Sequence, residues 1–256
     1  MRRGFQEKVL IERADKNRSL HGVGKMSTYK RLLVEREGNI AIITLNRPDK
    51  RNALSSEVRR ELEQCLGELE IDKAVKVAIL SGSGSAFCAG FDTNEFMTLT
   101  EDKMKAFFES SIQYHLAVMK FQKPLIAAIN GPAMAGGLDL ALMCDFRVAS
   151  ENAVFGHPEI KFGATPLYTL LRNVIGDGLA RDLCLTGRRI DAQEAFRTGL
   201  LNKVVPQNKL IEEAKAFASQ ISEAPDETLK TLKKTFIEVT GLGEFEKTAR
   251  AALGAS

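Results

Sequence analysis

The feature that most constrains this 256-residue chain is a set of three short apolar runs: NIAIITL (39–45), VKVAILSG (75–82) and LIAAING (125–131). Strands covered on both faces carry unbroken apolar runs, whereas half-exposed strands alternate. Between the runs lie segments with helical spacing. Val58, Leu62, Leu66 and Leu69 follow Ser55 and Ser56, either of which can cap a helix. Within 101–121, Met104, Phe107, Phe108, Ile112, His115, Leu116 and Met119 form one side of an amphipathic helix. RLLVER (31–36) meets the first run around Glu37–Gly38, predicting a hairpin. Buried strands alternating with helices predict an α/β chain. From about Pro166 onward strand patterns stop, and ARDLCLTG, DAQEAFRTG, LIEEAKAFASQIS and ETLKTLKKTFIEV predict successive helices. The domain reading is a basic, flexible extension (1–25), an α/β core (26–195) and a helical C-terminal region (196–256).

Composition narrows the function classes. With 44% hydrophobic and 27% charged residues the chain is neither disordered nor membrane-spanning in character. A net charge of +3 does not by itself call for nucleic acid, but suits an anionic ligand if basic residues cluster. Cys65, Cys88, Cys144 and Cys184 lie far apart without a CxxC pair, and the three histidines are scattered. No zinc site or disulfide framework is expected, and free buried thiols in a cytoplasmic protein are.

The chemistry concentrates in NGPAMAGGLDLALMCDFRVASENAVFGHPEIKFG, residues 130–163. A glycine pair, Gly136 and Gly137, stands where an apolar run gives way to a helix pattern. Asp139 falls in that helix's first turn, and Glu159 follows on a short loop after another apolar run. Free N–H groups at a helix start favour negative charge, so this layout suits an oxyanion developing beside acid/base groups.

Five segments in register carry a family resemblance: NRPDKRNAL, GSGSAFCAGFD, KPLIAAINGPAMAGGLDLALMCDFRVAS, AVFGHPEIKFGATP and LTGRRIDAQEAFRTGLLNKVVP. From about Tyr29 to Ala252 the chain resembles the enoyl-CoA hydratase/isomerase (crotonase) superfamily. The resemblance implies a crotonase-like spiral of strand-strand-helix repeats, with a helical C-terminal region that drives trimerisation, often as a dimer of trimers. It implies an acyl-CoA thioester as substrate, with no cofactor beyond the coenzyme A that the substrate carries; no apolar run is long enough for a membrane partner, and nucleic acid is not the expected partner. Carried onto this sequence, the thioester oxyanion hole is formed by the backbone N–H groups of Phe91 and Gly136. Lys50, Arg51, Ala53, Ala89 and Asp92 become candidate CoA-binding residues, with Leu167 and Tyr168 lining the acyl pocket. Asp92 can instead be structural, and Asp145 is expected to be a structural carboxylate.

The catalytic positions carried over are Glu159 and Asp139. Hydratases of the family use two glutamates that together hold a water, so the shorter Asp139 is a departure. It leaves two reactions open: hydration of a 2-enoyl-CoA by both carboxylates, or 3,2-isomerisation of an enoyl-CoA by Glu159 alone. His157, two residues before Glu159, can tune that carboxylate, donate to substrate or serve structure. A non-catalytic acyl-CoA or RNA-binding role is a further reading, prompted by seven Lys/Arg against three Asp/Glu in 1–25. GATPLYTLLR also departs from the family, with Thr169 and Leu170 where a glycine pair is common.

Overall fold

The computed structural model describes residues 23–25, 29–239, 245–247 and 250. Ten strands are present among them: β1 (Val23–Lys25), β2 (Leu32–Glu37), β3 (Ile40–Leu45), β4 (Val77–Gly82), β5 (Leu125–Ile129), β6 (Ala133–Met134), β7 (Phe146–Ser150), β8 (Val154–Gly156), β9 (Arg189–Asp191) and β10 (Lys203–Val205). The helices are α1 (Ser56–Ile71), α2 (Thr93–Met97), α3 (Glu101–Met119), α4 (Gly136–Leu142), α5 (Tyr168–Ile175), α6 (Asp177–Thr186), α7 (Ala192–Arg197), α8 (Leu210–Ser222) and α9 (Asp226–Val239).

The three apolar runs become neighbours, β3, β4 and β5, at the centre of a seven-stranded sheet ordered β1-β2-β3-β4-β5-β7-β10. They pair in parallel, as does β7 with β5, while β2 is antiparallel to both of its neighbours, β1 and β3. The runs are unbroken because both faces are covered. Ala41, Ile43, Ala78, Leu80, Ala127 and Ile129 enter the main core. Ile40, Ile42, Val77, Ile79, Ile126 and Ala128 meet Leu210, Ala214 and Ala218 of α8 on the opposite face. Ser55 is the cap of α1, its Oγ accepting from Val58 N at 3.4 Å.

A second sheet, β6-β8-β9, has three strands. The chain visits the two sheets in turn: β5 then β6, β7 then β8. Register matters here, because Met134 pairs with Gly156 and Ala135 N donates to Gly156 O at 2.9 Å. That pairing brings the start of α4 alongside residues 157–159.

Three expectations need correction. Strands do not stop at Pro166: β9 pairs antiparallel with β8, and β10 pairs parallel with β7. Each is three residues long (RID and KVV), too short for periodicity to reveal. Glu159 lies on a 3-10 turn, Pro158–Phe162, rather than a loop, and α2 is an added short helix. The extension read at 1–25 lies outside the described residues except for Val23–Lys25, which form edge strand β1 against β2. Among the described residues no helix is long and apolar enough to cross a membrane. All four cysteines are free and buried.

Candidate active site

The glycines of the site serve different purposes. A Cβ on Gly137 would lie 2.2 Å from Cys88 O, so this glycine lets α4 lie directly on the neighbouring strand segment. A Cβ on Gly136 would meet the Phe91 ring at 3.0 Å. Gly90 has φ +95°, a conformation that glycine adopts without strain. Ala135, at the helix cap, has φ 51° and ψ −130° with no glycine to relieve it. A non-glycine residue held there costs on the order of 1–3 kcal/mol.

Those backbone constraints aim two amides. Leu54 bridges Phe91 in parallel, with Leu54 N donating to Gly90 O at 2.8 Å. Ala135 O accepts from Leu138 N at 2.8 Å and from Asp139 N at 3.1 Å. The carbonyls of the peptide units that hold Phe91 N and Gly136 N are therefore both engaged. Neither N–H has a backbone acceptor among the described residues. A peptide whose carbonyl accepts a hydrogen bond is polarised, and its N–H becomes a stronger donor.

Asp139 and Glu159 converge on one another through His157. Asp139 is 3% exposed and His157 is 0% exposed. His157 Nδ1 shares a 2.8 Å hydrogen bond with Glu159 Oε1, and its Nε2 lies 3.8 Å from Asp139 Oδ1, beyond hydrogen-bond reach. Asp139 Oδ1, His157 Nε2 and Glu159 Oε2 are all buried without a partner among the described residues. Three orphaned polar atoms in one place are expensive unless a ligand or reactant completes them. Burial first, then the nearby Glu159, pushes the Asp139 carboxyl up to about 7, with His157 opposing. Burial disfavours the charged form of His157, yet Asp139 and Glu159 together hold its pKa above the ordinary value.

The loop expected to meet CoA is drawn to the same place. Ala89 N donates to Arg51 O at 3.0 Å, and Arg47 Nη1 donates to both Ala53 O and Asp92 Oδ2. Lys50 and Arg51 are exposed beside Ala53, Ala89 and Phe91. Asp92 takes the structural option. Its Oδ1 accepts from Asn94 N and Glu95 N to cap α2, and burial notwithstanding, Arg47 and those amides hold its pKa below the ordinary range. Asp145 is structural as well, accepting from Leu125 N and from Lys233 Nζ.

Leu167 is buried at the start of α5, but the Tyr168 hydroxyl is directed onto exposed Asp177. A cavity of about 330 Å³ opens near neither carboxylate; it sits at the far end of α4, lined by Met143, Arg147, Leu170 and Phe236 among others. Sequence reasoning missed Asn52. Its buried amide donates to Ser83 O and Ala86 O and accepts from Arg47 N, at φ 57°. The signal was available in principle: asparagine tolerates left-handed backbone better than other side chains.

The chain matches the Enoyl-CoA hydratase/isomerase family model over residues 35–251. It is 38% identical to a putative enoyl-CoA hydratase of Thermus thermophilus, over 81% of this chain and 84% of that protein. It is 37% identical to the crotonyl-CoA hydratase of Syntrophomonas wolfei, over 75% of this chain and 76% of that one. Among solved structures, an enoyl-CoA hydratase from Bacillus anthracis superposes with a TM-score of 0.79 at 33% identity, covering 89% of this chain and 92% of that one. With a mixed α/β fold of this kind, and Asp139 and Glu159 meeting at His157, the chain belongs to the enoyl-CoA hydratase/isomerase family.

Proposed function

We propose that the protein is an enoyl-CoA hydratase, adding water across the 2,3 double bond of a 2-enoyl-CoA thioester. The observation that carries this reading is the convergence of Asp139, His157 and Glu159 next to the amides of Phe91 and Gly136. The thioester carbonyl accepts from both amides. Water is held between the carboxylates, its hydroxyl adds at C3, and the displaced electron pair moves through C2 to the thioester oxygen as an enolate. Asp139 accepts a hydrogen bond from the water and holds it, while Glu159 takes the remaining water proton and delivers it to C2 as the enolate collapses, so both carboxylates end as they began. Preorganised donors at a developing oxyanion are worth about 2.7–4 kcal/mol each. His157 orients Glu159 through Oε1, which leaves Oε2 for the proton transfer. Lys50 and Arg51 supply charge for the CoA phosphates, with Ala53 and Ala89 along the path of its pantetheine. No cofactor is needed beyond the CoA that the substrate carries.

One observation favours a second reaction. Asp139 is a methylene shorter than glutamate and stops 3.8 Å short of His157. An isomerase reading uses Glu159 alone to carry a proton from C2 to C4 of a 3-enoyl-CoA. Assay of the purified protein with 2-enoyl- and 3-enoyl-CoA of equal chain length separates the two. Hydration by wild type that is lost in Asp139→Asn supports the hydratase. Isomerisation that survives in Asp139→Asn, with no wild-type hydration, overturns it.

The reading extends to assembly. A spiral of strand-strand-helix repeats is supported by the alternation between the two sheets. A homotrimer or dimer of trimers is supported by the exposed Phe162 and Leu185, 85% and 75% accessible, on the Glu159 turn and on α6, which packs against it.

A further inference from the structure

Arg59 is a buried cation that the chemistry above leaves unused. It sits in the first turn of α1 and is 1% exposed. Its Nη1 donates to Leu54 O at 2.8 Å and its Nη2 to Ser110 Oγ at 3.1 Å, while Nε has no partner among the described residues. Its guanidinium carbon lies 4.5 Å from the Phe107 ring centroid and 5.4 Å from that of Phe91. No salt bridge reaches it among the described residues. The carboxylate whose field it feels is Glu95, which is itself occupied by Ser56 N at 2.8 Å.

Burying a charge without a counter-ion costs several kcal/mol, and aromatic faces return about 2 kcal/mol or more each when desolvated. Arginine does not escape by losing its proton, because its basicity is too high even when burial lowers it. A neutral residue would fill this space between α1 and α3 at less cost. The location suggests why a cation is there. The Phe91 ring has Arg59 near it and lies 3.0 Å from where a Gly136 Cβ would stand. Leu54, whose carbonyl Arg59 holds, is the residue that bridges Phe91 and donates to Gly90 O.

We propose that Arg59 is an electrostatic positioning residue for the oxyanion hole. With no salt bridge among the described residues and only the field of Glu95 to offset it, its positive charge is better matched when negative charge develops on the thioester oxygen between Phe91 N–H and Gly136 N–H. The ground-state thioester is neutral at that oxygen, so the benefit falls on the enolate-like transition state and raises kcat rather than lowering KM. The proposal rests on the reading of Phe91 and Gly136 as the oxyanion hole.

The test uses the full-length enzyme and two variants: Arg59→Met, which keeps the apolar stem and removes the charge, and Arg59→Lys, which keeps a charge without the fork. The first readout is steady-state hydration. The second is the ultraviolet absorbance of acetoacetyl-CoA bound to the enzyme, which reports how far this 3-ketoacyl thioester ionises to its enolate. For Arg59→Met we expect kcat to fall by about tenfold with KM nearly unchanged, and the ionisation of bound acetoacetyl-CoA to need a pH about one unit higher. Arg59→Lys is expected to keep most of the enolate signal, which also serves if the methionine variant does not fold. Wild-type ionisation in folded Arg59→Met, or loss of the enolate signal in folded Arg59→Lys, overturns the role of Arg59. If the wild type itself neither hydrates 2-enoyl-CoA nor ionises acetoacetyl-CoA, the oxyanion-hole reading fails instead.

Discussion

The two ends of helix α4 make opposite use of buried charge. Just past its far end Arg147 is 7% exposed and held by backbone: Nε donates to Leu200 O, and Nη1 to Cys144 O and Ala141 O. Asp145, beside it, accepts from Leu125 N and pairs with Lys233. At the glycine end, Asp139, His157 and Glu159 keep orphaned atoms, and Ala135 is strained. The same seven-residue helix thus has one end completed by protein and one left for a reactant. Satisfied buried charges hold a fold together, and unsatisfied ones mark where chemistry is to be supplied.

The sharpest way to break this contrast is to exchange the consequences. Arg147→Met removes the side-chain donor from Leu200 O and Cys144 O, so we expect a loss of about 1–3 kcal/mol in stability for each. The folded fraction should keep wild-type kcat, as denaturant melts with parallel assays would show. Glu159→Gln should do the reverse, with hydration reduced by about 10²–10⁴-fold and melting little changed. Equal damage to stability in both variants would erase the distinction between the ends.

Asp139→Asn tests the buried acid in two ways. We expect roughly 10²-fold less hydration. With Asp139 near 7 in the folded protein and its ordinary value near 3.8, folding favours its protonated form. The stability it contributes is present below about pH 4 and is lost as pH rises through about 7. The asparagine variant should therefore gain on wild type between those limits, by something on the order of 2–4 kcal/mol. Melts at pH 5 and pH 8 measure it, and a pH-independent difference contradicts the assignment. Because Asp139 must be ionised to accept from the attacking water, wild-type kcat should also rise through about pH 7.

His157→Gln is a smaller perturbation. An amide can hold Glu159 but carries no charge, so kcat should drop by about tenfold and the pH profile should shift. The smallest effect belongs to the exposed loop. Lys50→Ala with Arg51→Ala should raise KM for the CoA thioester a few-fold, more at low salt, with kcat intact. A KM insensitive to salt in both proteins would remove these side chains from the CoA path.

Much of this was legible along the chain. The unbroken runs at 39–45, 75–82 and 125–131 announced strands covered on both faces, and α8 is what covers the second face. Gly136 and Asp139 were readable as a helix start with an acid in its first turn. The structural part of Asp145 was readable from its place after a helix, and that of Asp92 from an aspartate's capacity to accept from nearby backbone N–H groups. Less visible were β9 and β10, since three-residue strands exist only through their partners. The Tyr168 side chain, expected in an acyl pocket, is drawn instead to Asp177.

By itself the sequence determined the alternation of buried strands and helices, the family, and which residue types stand at the two carboxylate positions. These are local patterns of apolarity, glycine and charge, and a chain displays them before it folds. Only the tertiary structure decided that His157 lies between Asp139 and Glu159, that Arg59 is buried without a counter-ion near Phe91, and that one end of α4 is satisfied while the other is open. Those facts depend on the β6–β8 register and on burial. Both arise from contacts between segments distant in sequence, and the cost of a buried polar atom is set by neighbours that the chain order does not name.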